Sequence, residues 1–162
     1  MRLKSKFFSS VLIAALFALG LVVDASAEMQ GVKATFKSEA ATPQTSFREY
    51  RGVKLGMSAD ETRAKLGTPT IKYSDQDLFV MSENETAQIF YDSAQKVVTI
   101  SVDYLGGIGA PDYKAVVGVE LDTTANGSQH KLVRFVSLGF WVSYNRTNGS
   151  VSNVTVTLQK IE

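Results

Sequence analysis

Apolar and polar residues alternate along most of the chain after residue 70. In residues 97–104, Val98, Ile100, Val102 and Tyr104 share one face of an extended segment, and the polar residues between them share the other. This period of two is typical of a strand with one buried face. Similar patterns predict strands at 70–74, 78–81, 86–92, 97–104, 119–124, 131–136, 140–145 and 151–158.

Two short helices are predicted among these strands. Ser58 and Glu61 have the spacing of a capping box in front of residues 59–66, and Gly67 followed by Pro69 indicates where that helix ends. Its apolar stripe would be Met57, Ala64 and Leu66. Residues 110–118 resemble this segment and also end in glycine, after the glycine-rich linker 106–109.

We therefore expect an α+β fold, with short helices packed on one face of an antiparallel β meander. Residues 51–162 would form the folded domain. The pattern allows two tandem helix-plus-four-strand units, at 51–105 and 106–162, because Val97, Ile100 and Val102 correspond to Val151, Val154 and Val156. Two unrelated meanders would show the same alternation, so the repeat remains one of two interpretations.

The first 27 residues have the pattern of an export signal. Arg2, Lys4 and Lys6 precede an apolar run at 7–23, and Ala25-Ser26-Ala27 fits the small-residue cleavage site of a signal peptidase. We expect cleavage near Ala27 and a periplasmic or secreted protein, with an uncleaved membrane anchor as the competing interpretation. Residues 28–50 are predicted to be a polar N-terminal arm.

Composition excludes several classes of function. Lys+Arg number 17 and Asp+Glu 16, and removing residues 1–27 leaves 14 against 15, a net charge of −1. A nearly neutral chain lacks the positive charge that non-specific binding to nucleic acid requires. The absence of cysteine excludes disulfides, thiol catalysis and a lipid anchor on cysteine.

Catalytic chemistry has few candidates in this sequence. His130 is the only histidine, and no G-x-S-x-G motif presents a serine to it. The carboxylate pairs Asp75/Asp77 and Glu83/Glu85 fall in predicted turns, where solvated charge is the expected role. We expect no enzyme activity, no cofactor and no metal site.

Residues 52–69 read GVKLGMSADETRAKLGTP. They resemble the signature G-M-[ST]-x-[DE]-[EQ]-V-x-x-x-L-G-x-P of the BamE/SmpA/OmlA family, which comprises small bacterial envelope proteins. A related fold occurs in tandem copies in the β-lactamase inhibitory proteins. Thr62 occupies the family's Val position, and Glu28 stands where the lipoproteins of the outer-membrane assembly group have a lipidated cysteine.

The resemblance implies an exported, non-enzymatic protein-binding module of the bacterial cell envelope, similar to outer-membrane assembly and envelope-integrity proteins. The alternative is a periplasmic or secreted enzyme inhibitor or small-ligand carrier of the β-lactamase-inhibitory-protein type.

The sheet face opposite the helices is the predicted binding site. Its aromatic residues are Phe90 and Trp141, which suit a protein or peptide partner because rigid aromatic rings bury much area at little entropic cost. The polar residues around them are Gln88, Thr99, Ser101, Asp103, Asn153, Thr155 and Thr157. The partner would be another envelope protein or peptide; the alternative is that Trp141 packs under the arm or against another copy. The sequence leaves the oligomeric state open.

Overall fold

The structure, a computed structural model, describes residues 44–162. The predicted signal peptide, 1–27, and residues 28–43 of the predicted arm lie outside the described residues. Within 44–162, no helix has the length and apolar character needed to cross a membrane.

Eight strands of residues 44–162 form one antiparallel sheet. They are β1 (Ile71–Lys72), β2 (Gln76–Ser82), β3 (Glu85–Tyr91), β4 (Val97–Leu105), β5 (Asp122–Thr123), β6 (Gln129–Phe135), β7 (Phe140–Arg146) and β8 (Asn153–Lys160). Their order in the sheet is β1-β2-β3-β4-β8-β7-β6-β5. Two α-helices, α1 (Ala59–Leu66) and α2 (Tyr113–Val117), and a 3-10 turn at Val136–Leu138 complete the described elements.

The predicted α+β fold, with helices on a meander and two tandem helix-plus-four-strand units, is wrong. Only 13% of the structure is helical, and α2 has five residues. β4 pairs with β8 from Thr99↔Gln159 to Leu105↔Asn153, so all eight strands belong to one sheet. Alternation specifies which face a residue occupies but not which distant strand lies beside it. An eight-residue helix is also only about 12 Å long, too short to form a layer over eight strands.

The predicted bounds of α1 are confirmed. Ser58 Oγ accepts a hydrogen bond from the Glu61 amide at 3.2 Å, and the Glu61 carboxylate accepts one from the Ser58 amide at 2.8 Å. The predicted apolar stripe is only partly correct, because Ala59 and Thr62 are the buried residues of α1 and Ala64 is exposed. The Thr62 hydroxyl donates to the Ser58 carbonyl at 2.9 Å, which satisfies this buried polar group.

The core lies on one face of the sheet, which we call the core face. Its fully buried strand residues include Phe79, Ile89, Ile100, Val102, Val142, Val156 and Leu158. Val116 and Val117 of α2 and Val53 before α1 pack against them. Leu138 is 48% exposed, and it belongs to the 3-10 turn that precedes β7.

Candidate binding face

Strand register aligns the outward residues of the opposite face, the reverse face, into three rows that cross six strands from β2 to β6. The first row is Gln76, Phe90, Thr99, Gln159, Trp141 and Arg134. The second is Leu78, Gln88, Ser101, Thr157, Ser143 and Leu132. The third is Val80, Thr86, Asp103, Thr155, Asn145 and His130.

All nine predicted site residues lie on the reverse face. Gln88, Ser101, Asp103 and Thr155 occupy the second and third rows, and Asn153 pairs with Leu105 beyond the third. Phe90 and Trp141 share the first row but do not touch, because Thr99 and Gln159 stand between them. Three strand spacings separate the two aromatic residues, a distance of about 14 Å. They are therefore two separate anchors rather than one aromatic cluster.

Hydrogen bonds between side chains of β4 and β8 occupy the centre of the reverse face. Ser101 Oγ and Thr157 Oγ1 lie 3.2 Å apart. Asp103 Oδ1 accepts hydrogen bonds from Thr155 Oγ1 at 2.5 Å and from Asn153 Nδ2 at 3.4 Å. Because these polar groups satisfy one another across the strands, the centre of the face needs no further covering layer.

Two shallow hollows border this polar centre. One, of about 300 Å³, is lined by Arg134, Trp141, Gln159, Lys160, Ile161 and Glu162. The other, of about 340 Å³, is lined by Glu83, Asn84, Thr86, Asp103, Leu105 and Asn153. Trp141 of the predicted site lines the first hollow, and Asp103 and Asn153 line the second, so the face has a depression at each end.

Within residues 44–162, both helices lie on the core face. Arg63 of α1 reaches Asp77, and the ring of Tyr113 in α2 packs edge-on against Tyr144 with centroids 6.2 Å apart. On the reverse face, Val80 of β2 is 54% exposed and Leu132 of β6 is 50% exposed. Apolar surface thus remains accessible on two outer strands, on either side of the polar centre.

Asp77 is a residue whose role the sequence analysis missed. We expected solvated charge, but the carboxylate is fully buried and bonded by Arg63 Nε at 2.8 Å and by the Tyr91 hydroxyl at 2.8 Å. Burial and the hydrogen bond to Asp77 raise the pKa of Tyr91, and the hydrogen bond to Asp77 raises the pKa of Arg63. The signal was present in the sequence, since Asp77 is in phase with Phe79 on the core side of β2.

Glu85 is also held by a tyrosine and an arginine, at the edge of the core face. It accepts hydrogen bonds from the Tyr50 hydroxyl and from Arg51 Nη2, each at 2.7 Å. Burial alone would raise the pKa of Glu85, but the hydrogen bonds from Arg51 and Tyr50 outweigh it and lower the pKa. Both networks lie on the side of the sheet away from the candidate face, so we assign them to stability.

His130 is exposed at the end of the third row, and no side chain in residues 44–162 hydrogen-bonds to its ring. The described part of the chain also contains no group of three or more His, Asp or Glu side chains placed to hold a metal ion.

Comparison with known proteins finds no match among protein families, curated proteins or solved structures. A function for this chain therefore has to be argued from its own surfaces.

Proposed function

We propose that this chain is an exported, non-enzymatic protein-binding module of the bacterial cell envelope, and that its reverse face binds another envelope protein or peptide. The observation that carries the proposal is a sheet face that no helix of residues 44–162 covers, with Phe90 and Trp141 as aromatic anchors on one row.

The chemistry of the face supports a macromolecular partner. Binding energy at protein interfaces concentrates in a few aromatic and arginine residues, surrounded by polar groups that exclude water. Trp141 has Arg134 beside it on β6, and the row between Trp141 and Phe90 is polar. A spacing of about 14 Å between anchors suits an extended segment or a folded surface, because both are long enough to contact the two rings at once.

Two features of the sequence support the envelope setting. The pattern of residues 1–27 is that of an export signal. Residues 52–69 resemble the BamE/SmpA/OmlA signature, whose capping box the structure contains at Ser58 and Glu61.

Site-specific photo-cross-linking tests the proposal. A photoreactive phenylalanine analogue would replace Phe90 or Trp141 in the full chain, produced in its own bacterium. Matched control positions are Tyr73, an aromatic residue that is 53% exposed outside the three rows, and Ala64, which is exposed on α1. We expect one protein to be cross-linked from both positions on the reverse face and from neither control. Equal cross-linking from all four positions, or none from the face, would refute the assignment.

Affinity for the cross-linked partner then measures the two anchors. Phe90→Ala and Trp141→Ala should each weaken binding at least tenfold, whereas Tyr73→Ala should leave it unchanged. Trp141 is the single tryptophan of the chain, so its fluorescence reports directly on this face. A partner that binds tightly without altering the emission of Trp141 must bind elsewhere.

A further inference from the structure

A cleft on another part of the molecule combines positive charge with apolar surface. It lies where the first residues of β4 and β7 meet the last residues of β8, and has a volume of about 380 Å³. Arg48, Lys54, Lys96 and Lys160 line it, and we call it the cationic cleft. Its volume is within the range of small-molecule sites, about 300–1,000 Å³.

The cleft carries an excess of positive charge. Of the four cations, only Lys54 has an ion-pair partner in residues 44–162, namely Glu49 at 3.2 Å. Asp92 is the one acidic residue in the lining, and its Oδ1 accepts hydrogen bonds from the amides of Ala94 and Lys96, each at 2.9 Å, within the β3–β4 turn. The whole sequence has a net charge of only +1, so these cations are concentrated at the cleft and do not reflect a basic chain.

The base of the cleft is apolar. Val97, Leu158 and Phe140 are among the residues that line it, and all three are buried. Leu138 lies at the lip and is half exposed. A purely polar ion bound here would leave the apolar groups exposed to water. A neutral apolar molecule would leave the cations without a partner.

We propose that the cationic cleft binds a small amphiphilic anion, with a carboxylate or phosphate head held by Arg48 and Lys96 and a short apolar tail lying against Leu138 and Phe140. Arginine and lysine are the side chains that proteins use for carboxylate and phosphate groups, and arginine can offer two parallel hydrogen bonds. Burial of the tail adds the hydrophobic contribution. This site is separate from the reverse face and does not depend on the function proposed for that face.

Isothermal titration calorimetry of the full chain at low ionic strength tests this proposal. The probes are decanoate and decyl phosphate, with decyl glucoside as the neutral amphiphile and inorganic phosphate as the head alone. We expect decanoate and decyl phosphate to bind with 1:1 stoichiometry, and each control to bind at least tenfold more weakly. The stronger of the two anionic probes identifies the preferred head group.

A charge-matched pair of variants locates the site. Arg48→Gln with Lys96→Gln removes two cations of the cleft and should weaken binding of both anionic probes at least tenfold. Lys65→Gln with Lys72→Gln removes the same charge from exposed positions outside it and should have no effect. In the unaltered protein, amide chemical shifts of Gly56 and Gly139, which line the cleft, should change on titration.

The proposal fails if decyl glucoside binds as well as decanoate, or if both double variants weaken binding equally. It also fails if the chain binds vesicles of anionic phospholipid but neither free anionic probe, because the cations would then serve a membrane surface. Loss of partner cross-linking from the reverse face, with anion binding retained, would refute only the function proposed above.

Discussion

On β8, Val154, Val156 and Leu158 point to the core face and are buried, whereas Thr155, Thr157 and Gln159 point to the reverse face and remain partly exposed. The core side is stabilised by apolar contact with β7, β4 and the helices. The reverse side is stabilised by hydrogen bonds between neighbouring strands, such as Ser101–Thr157. A face whose polar groups are already satisfied needs no cover, and so it stays available for binding.

The largest expected contrast between the two faces involves one aspartate on each. Asp77→Ala removes a buried carboxylate, leaves the Tyr91 hydroxyl without its partner and leaves Arg63 only the exposed Asp60, so we expect a loss of about 4 kcal/mol in the free energy of unfolding. Asp103→Ala on the reverse face removes hydrogen bonds to Thr155 and Asn153 and should cost about 1 kcal/mol. Urea denaturation at pH 7 measures both. Equal losses in the free energy of unfolding would mean that a carboxylate on the core face stabilises the protein no more than one on the reverse face.

A smaller contrast compares consecutive residues of β8. Leu158→Ala creates a cavity in the core and should lower the free energy of unfolding by about 3 kcal/mol. Thr157→Ala removes the 3.2 Å contact with Ser101 and should cost about 1 kcal/mol or less. Both residues lie in β8, between β4 and β7. The difference in thermal stability between the two variants therefore reports which face of the sheet the side chain occupies.

A smaller effect still concerns the acid sensitivity of Glu85. Its pKa is lower in the folded protein than in the unfolded chain, so its ionised form contributes stability above the unfolded pKa of about 4.3, and that contribution is lost as the pH falls through the folded pKa. Glu85→Gln should therefore be less stable than the unaltered protein at pH 7, and the difference should disappear in strong acid. Urea midpoints from pH 7 to pH 2 would show this.

Glu120 is the matched control for Glu85. Hydrogen bonds from Lys114 and Tyr113 also lower the pKa of Glu120, but the group is exposed to solvent. Glu120→Gln should change the free energy of unfolding less than Glu85→Gln, and the change should vanish in about 1 M salt because exposed ion pairs are screened. A larger effect at Glu120 would show that burial does not govern these pairs.

Local signals in the sequence were sufficient for α1 but not for the sheet as a whole. Ser58, Glu61 and Gly67 act within one helix, and their spacing determines where it begins and ends. Pairing of β4 with β8 depends on contacts between residues far apart in the chain, which no local pattern encodes. For that reason the predicted two-unit α+β fold was wrong although most of the strands were located within a few residues.

The candidate face shows the same limit. Alternation alone assigns Phe90 and Trp141 to a face within their own strands, but only the register across β4 and β8 gives the distance of three strands between them. Asp77 was misassigned for a different reason: its phase with Phe79 indicated the core face, but the partner that allows its burial, Arg63 of α1, could not be placed over β2 from the sequence.

The central position of β8 also affects how the chain folds. Ser101 and Thr157 meet across the middle of the sheet although they are 56 positions apart in the chain. Strands β1 to β4 can form hairpins while the rest is being synthesised, but the two halves join only after β8 has been made. Such distant pairing closes a large loop and slows folding. Until then β4 has an unpaired edge, the kind of surface that chaperones protect from aggregation.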